Sequence, residues 1–434
     1  MKRLVSLLML SYFCPDYIIT YTVFSLLIIL NQYKSLKTKS SIIRADILFL
    51  TTFFIIHLLI PFLTTTYNFQ YRHDDDEVLH YLAKISFYSI AVFSIGFFAI
   101  SSGKNKTRKI YNKQLLIKYG RITDTLLILI ITLFYISAGK SYFSADIYQI
   151  GGSSNTLSGL AGYLHILIII LLFLRITVTV MVPNFIKLKN LQLFKIILLI
   201  FFITSVISGD RSTILTLVLG LIAFMPTYNI KVSKFIKVLS IFGFFLLMGF
   251  TRIWRTSSIE YLNLSDLFYT SILNLADSFR VVIYANEITN STGIHYGLTW
   301  LGPLAGLIPF LQGFLVKNNI LKLETLNSPN LFTFYKHGNL NVSGEGSSIL
   351  ADLLVNFGHI GVILGMLMIG MLFKKIISIK SIQNSITTNF VVIILVSCSI
   401  YITRSTILYP LKFILWGFII NFFILQLTSI KSNE

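Results

Sequence analysis

SGDRSTILTLVLG, residues 208–220, sets Asp210 and Arg211 side by side between two apolar stretches, IILLIFFITSVI (196–207) and ILTLVLGLIAFM (214–225). An arginine at the centre of a bilayer costs about 2.5–3.5 kcal/mol on insertion scales and little at the interface. Two short apolar helices that turn back at the membrane surface account for the pattern, with the charged pair at the turn. Asp210 then caps the second helix, and Arg211 reaches either the phosphates of ordinary lipids or an anionic ligand.

The rest of the chain repeats this alternation. Of its 434 residues, 55% are hydrophobic and only 12% charged, and the mean hydropathy is +0.78. A soluble chain of this length needs far more charge to cover its surface. Apolar runs near 14–32, 45–66, 81–102, 122–138, 160–182, 194–208, 213–229, 238–253, 347–372, 386–403 and 411–428 predict an all-α polytopic membrane protein. The expected count is about eleven transmembrane helices, within a range of ten to twelve. The opening MKRLVSLLMLSYFC has the look of a signal peptide but a poor cleavage site, so it is expected to be retained.

The net charge of +19 does not point to nucleic acid. Lys and Arg gather in short loops, YKSLKTKSSIIR (33–44), KNKTRKIYNKQLLIKYGR (104–121) and the clusters at Lys187/Lys189/Lys195, Lys231/Lys234/Lys237 and Lys374/Lys375/Lys380. All fall on one side of an eleven-span thread, which the positive-inside rule makes cytoplasmic. The other side holds RHDDDE (72–77), residues 139–159, the 208–211 turn and a long segment. The expected organisation is an N-terminal bundle of about eight helices over 1–253, a large structured periplasmic loop over 254–346, and about three helices over 347–434. Cys14 and Cys398 lie far apart in apolar surroundings, which excludes a disulfide framework or a CxxC metal site. HDDDE (73–77) reads as a solvated loop, and no HExxH, DxD or Walker pattern occurs elsewhere. No metal and no cofactor are expected.

Within the long segment, 257–287 is amphipathic, with Leu262, Leu264, Leu267, Phe268, Ile272, Leu273 and Leu275 on one helix face. LTWLGPLAGLIPFLQGFLV (298–316) is apolar but broken by Pro303 and Pro309, and reads as an interfacial or re-entrant element. The same face gathers cations. Arg252 and Arg255, at i and i+3 in TRIWR, share a helix side; Arg280 lies in the amphipathic stretch; Arg404 and Lys412 lie in ITRSTILYPLK (402–412) and read as anchors. RSTIL occurs at both 211–215 and 404–408. Asp277, Glu287, His295, His337 and Glu345 share the region. Singly, each has a plain reading as a cap or an interface anchor. Jointly, arginines beside a proton acceptor suit transfer of a group off a phosphate leaving group. Deeper, Arg175 in LHILIIILLFLRITVTV needs a partner, a wet cavity or a route to the cytoplasm. Asp352 reads as the salt-bridge partner of one of the arginines.

CPDYIITYTVFSLL (14–27), SGDRSTILTLVLGLI (208–222) and SGEGSSILADLLVNFGHIGVILGMLMIG (343–370) resemble the opening span, the arginine-bearing turn and the Asn-Phe-Gly span of the O-antigen or oligosaccharide-repeat-unit polymerases, the Wzy type. The resemblance covers nearly the whole length in architecture. It implies an enzyme of the bacterial inner membrane, active at the periplasmic face, that moves the growing glycan from undecaprenyl pyrophosphate to a sugar hydroxyl of the next lipid-linked unit. On this reading Arg211, Arg252, Arg255 and Arg280, with Arg404 at the same face, hold pyrophosphate. Glu345, or His337 or His295 in its place, takes the proton. Tyr261, Tyr269, Tyr284, Tyr296 and Trp300 stack on sugars or anchor the interface. The partners implied are undecaprenyl-pyrophosphate-linked oligosaccharides, with a chain-length regulator and a flippase in the same membrane. No Gly follows Arg211, Arg255 or Arg280 at the spacing of the Arg-x10-Gly signature of some relatives. LNVSGEGSS (340–348) stands where the ligase branch has a His-Asn motif. A lipid-linked oligosaccharide flippase is the rival reading; the long outer segment and the absence of a half-chain repeat count against it.

Overall fold

A computed structural model describes residues 2–14, 17–35, 44–67, 69, 76–100, 113–139, 142, 159–181, 190–208, 211–224, 272–273, 275–342, 344–377 and 385–430. The described residues form helices and no strand. In chain order these are α1 (Lys2–Phe13), α2 (Ile18–Ser35), α3 (Ala45–His57), α4 (Leu59–Tyr67), α5 (Asp76–Ala99), α6 (Lys113–Ala138), α7 (Leu160–Met181), α8 (Asn190–Ile207), α9 (Arg211–Phe224), α10 (Arg280–Thr292), α11 (Leu298–Ala305), α12 (Leu311–Lys317), α13 (Ser328–His337), α14 (Ile349–Ile377), α15 (Ile386–Ser397), α16 (Ser399–Arg404) and α17 (Leu411–Ile430). Among them α5, α6, α7, α14 and α17 are long and apolar enough to cross a membrane; α3 and α4, bent by 43°, make a sixth if taken as one broken span. Each expected span overlaps a helix except 238–253, which lies outside the described residues. The apolar run 298–316 is two short helices, α11 and α12, and not one span.

Local chemistry explains the breaks. Pro61 has no N–H to give to the turn before it, and its ring crowds the carbonyl of His57, so the chain bends between α3 and α4. The Asn327 side chain accepts from the Asn330 N–H (2.9 Å) and caps α13, with Pro329 in its first turn, where a missing N–H costs nothing. Ser385 caps α15 the same way, accepting from Thr388 N–H at 3.0 Å.

Packing follows small residues and buried ion pairs. α14 lies most extensively against α5, and α6 against α7. Backbones touch where α5 crosses α14: a Cβ on Gly96 would fall 2.2 Å from the Leu367 carbonyl oxygen, and one on Gly370 2.0 Å from that of Phe93. Close backbone approach of this kind is how helices associate in lipid. Between α6 and α7, Arg175 finds the partner its depth requires. Its Nε donates to Asp124 Oδ1 (2.7 Å), its Nη2 to Asp124 Oδ2 (3.1 Å) and its Nη1 to Thr179 Oγ1 (3.0 Å), with the Phe194 ring 5.1 Å away. A second buried pair joins Arg44 to Asp46, which also accepts from Gln32 Nε2 at 2.8 Å.

α14 is itself broken. Gly358 has φ 63° and ψ −159°, a region essentially reserved for glycine. The residues before it stay with the 275–346 lobe and those after it run into the bundle. A Cβ at this position would lie 2.9 Å from Ile294 Cδ1. Gly358→Ala is therefore expected to destabilise the protein by about 1–3 kcal/mol, read as a lower thermal midpoint of the detergent-solubilised protein. An unchanged midpoint would contradict the account of this break.

Candidate active site

The lobe over 275–346 packs through α10 onto α14. α10 is rooted by buried Val281, Val282, Ile283, Tyr284, Ala285 and Ile288. Its first residue, Arg280, follows the short 3-10 turn Asp277–Phe279. Asp277 and Arg280 form an i,i+3 ion pair at this corner. The Arg280 Nε also lies 2.5 Å from Glu345 Oε2, and its Nη2 donates to the Glu345 carbonyl at 3.4 Å.

Glu345 is held from its other side as well. Its N–H donates to Thr333 Oγ1 (3.0 Å), and that hydroxyl donates to the Pro329 carbonyl one turn back in α13 (2.7 Å). Its Oε1 lies 2.7 Å from His337 Nε2. Facing a carboxylate, this nitrogen carries the proton, and Nδ1 of the neutral ring then keeps its lone pair. His337 ends α13. The Glu345 side chain is 10% exposed and that of His337 35%, so the imidazole is the member of the pair that solvent or substrate reaches. A carboxylate hydrogen-bonded to a half-exposed imidazole is an arrangement that can serve as an oriented base.

Sequence-predicted residues fare differently. Arg280, His337 and Glu345 come together across 65 residues of chain. Arg404, at the end of α16, is exposed and outside this cluster. Arg211 opens α9 as expected; Arg252 and Arg255 lie outside the described residues. His295 follows α10. Its N–H donates to the Val355 carbonyl (3.0 Å), its ring lies 3.4 Å from Thr292 Oγ1, and burial holds the imidazole below its ordinary value. Its partners are thus apart from Glu345. Among the aromatics, Tyr284 is buried and Tyr296 exposed; Tyr335 is pushed up by burial and by the nearby Glu287 charge. Tyr261 and Tyr269 lie outside the described residues.

Asp352 departs from the expectation of an arginine partner. It is fully buried, and among the described residues its partners are neutral: Trp300 Nε1 donates at 2.8 Å, Ser328 Oγ donates, and Asn356 Nδ2 donates at 3.3 Å. These hydrogen bonds satisfy the buried carboxyl group among the described residues without a counter-ion. The sequence signal missed here was Trp300, an indole donor inside an apolar run. Among the described residues, no group of three His, Cys, Asp or Glu is placed to hold a metal ion.

The model of the family described as O-antigen polysaccharide polymerase Wzy matches residues 3–433. Neither the curated proteins nor the solved structures gave a match. With a family match over nearly its whole length and several helices built to cross a membrane, the chain is a multi-pass membrane protein that belongs to the O-antigen polysaccharide polymerase Wzy family, with a polymerase's role in O-antigen synthesis.

Proposed function

We propose that the protein extends a lipid-linked glycan at the periplasmic face of the inner membrane, using undecaprenyl pyrophosphate as the leaving group. The observation that carries this reading is the Glu345–His337 hydrogen bond at 2.7 Å beside Arg280. The acceptor sugar's hydroxyl gives its proton to His337 Nδ1, and its oxygen forms a bond to the anomeric carbon of the growing glycan. The bond from that carbon to the pyrophosphate oxygen breaks, and the pyrophosphate lipid departs with the electron pair. Glu345 holds the imidazole in position and stabilises the imidazolium as it forms.

Cations aid the departing diphosphate. Arg280 reaches it from the cluster, and Arg211, Arg252, Arg255 and Arg404 supply further guanidinium groups at the same face. Guanidinium forks match phosphate oxygens two at a time, and positive charge placed where negative charge develops lowers the barrier. The eleven-span thread, with its basic loops in the cytoplasm and the 254–346 segment in the periplasm, belongs to this reading. So do the undecaprenyl-linked substrates and a neighbouring flippase and chain-length regulator.

Deletion of the gene tests the reading against its rival. Loss of a polymerase leaves lipid A core carrying a single repeat unit; loss of a flippase leaves core with none. The expected gel pattern is core plus one unit, restored to long chains by the plasmid-borne gene. Long chains in the deletion strain would end the proposal.

A further inference from the structure

A cavity of about 260 Å³ lies beside Asp352, walled by the α11–α12 hairpin, the start of α13, the start of α14 and the 405–412 turn. Ligand pockets for drug-sized molecules run from about 300 to 1,000 Å³, so this one suits a single ring and not a whole oligosaccharide unit. Its wall is of two kinds. Pro303, Leu307 and Tyr409 offer apolar surface; Ser328, Gln312 and Lys412 offer polar groups.

The hydrogen bonds around Asp352 fix what the polar wall asks for. Asn356 Nδ2 donates to Thr299 Oγ1 (2.7 Å), Thr299 and Ser328 share a hydrogen bond (3.1 Å), and both Ser328 and Thr299 hydrogen-bond the Asp352 carboxyl. Thr406 hydrogen-bonds the same carboxylate. With their protons committed to Asp352, Ser328, which also accepts from Thr299, and Thr406, which also accepts from the Leu408 N–H at 3.3 Å, keep only acceptor capacity where they line the cavity. A ligand there must supply donors. Lys412 supplies the opposite chemistry. Its Nζ sits 4.9 Å from the Tyr163 ring centroid and 5.3 Å from that of Trp416. These two rings stack at 5.6 Å and 10°. They are tied to the hairpin: the Phe310 N–H donates to Tyr163 Oη at 2.7 Å, and Trp416 Nε1 to the Leu307 carbonyl at 2.7 Å. The ammonium is held against aromatic faces and lines the cavity.

Oxygen acceptors, an amide, an ammonium and an apolar side in one small space describe a sugar ring, with hydroxyls at its rim and C–H bonds on its faces. We infer that this cavity is a monosaccharide subsite, holding one ring of the acceptor unit near its reacting hydroxyl. The assignment of that ring to an acceptor rests on the polymerase reading; the binding of a sugar does not. Position supports it. Ser347 lines the cavity, and Glu345 is two residues away, at most about 7 Å of extended chain.

The cavity reports on itself. Of the three tryptophans in the chain, Trp300 donates to Asp352 and Trp416 lies under Lys412. Full-length protein in nanodiscs is titrated with the repeat-unit oligosaccharide released from the host's carrier lipid by mild acid, and tryptophan emission is followed. Saturable change is expected for the wild type. Lys412→Met and Gln312→Leu, each checked for membrane insertion and unchanged thermal midpoint, are expected to raise the Kd about tenfold or more, the weight of one charge-assisted hydrogen bond. Lys412→Arg is expected to recover part of the affinity. Glu345→Gln is expected to bind like the wild type while making no polymer. Absence of a saturable response in the wild type, or equal Kd values for wild type and both cavity variants, would overturn the subsite. If Glu345→Gln makes normal polymer while the cavity variants lose binding, the acid–base reading fails and the subsite stands.

Discussion

Glu345→Gln is expected to reduce the surface glycan to core plus one repeat unit while the protein stays in the membrane at its normal level. Glutamine keeps the size of the side chain and a hydrogen bond to His337, but removes the charge. Two things then fail. The Arg280 guanidinium loses a carboxylate 2.5 Å from its Nε, and the imidazolium that forms on proton transfer loses its stabilising partner. Positioned acid–base groups contribute about 10²–10⁴-fold to rate. His337→Gln, which removes the open nitrogen, is expected to fall by a similar factor. The double variant is expected to be no slower than either single one, because groups that act as one unit are not additive. The measurement is polymer formed per unit time by membranes supplied with lipid-linked units. Wild-type rates in Glu345→Gln would end the assignment. Activity retained in His337→Gln but lost in Glu345→Gln would hand the proton to the carboxylate itself.

Arg175→Met is expected to have the largest effect on stability. It strands Asp124 between α6 and α7 after removing two hydrogen bonds to its carboxylate, at 2.7 and 3.1 Å. Breaking a buried pair by deleting one partner destabilises by about 3–5 kcal/mol, whereas replacing both by apolar groups of similar volume is often neutral. The double change Arg175→Met with Asp124→Leu is therefore expected to recover most of the loss. Thermal unfolding in detergent, with membrane abundance as a second reading, measures both. Equal losses in the single and double variants would show that Arg175 matters for something other than this pair. No loss in catalysis is expected from the double variant once its level is matched, since neither residue lies in the Arg280–Glu345–His337 cluster.

Composition and periodicity were enough to read the helical membrane architecture, because a bilayer leaves little freedom: twenty apolar residues with flanking charges have one stable fate. Arg252 and Arg255, read as sharing a helix side from their spacing, lie outside the described residues, while the Asp277–Arg280 pair, three apart in sequence, was not read from its spacing. The depth of Arg175 called for a partner, a wet cavity or a route to the cytoplasm, and the structure supplies the partner. What the sequence could not name was the partner, because Asp124 is 51 residues away and its own helix shows no sign of the contact. Glu345 and His337 were both singled out, yet as alternatives; only the turn from α13 into 344–348 shows them as one unit. The arginine expected for Asp352 is replaced by Trp300, Ser328 and Asn356, neutral groups whose convergence depends on where α11 and α13 dock. Of the two breaks expected in 298–316, the one at Pro309 falls between α11 and α12, while Pro303 lies inside α11. The cavity behind that hairpin was not legible, being a property of four separated segments. Arg252 and Arg255, which the same reasoning brought to the pyrophosphate, lie outside the described residues.

One short rod joins the two halves of this chemistry. α13, ten residues long, begins with Ser328 at the cavity and ends with His337 at the cluster, about 13–14 Å apart along its axis. Thr333, midway, accepts from the Glu345 N–H. Because both side chains ride on one short helix, any displacement of that helix along its axis would move Ser328 and His337 together.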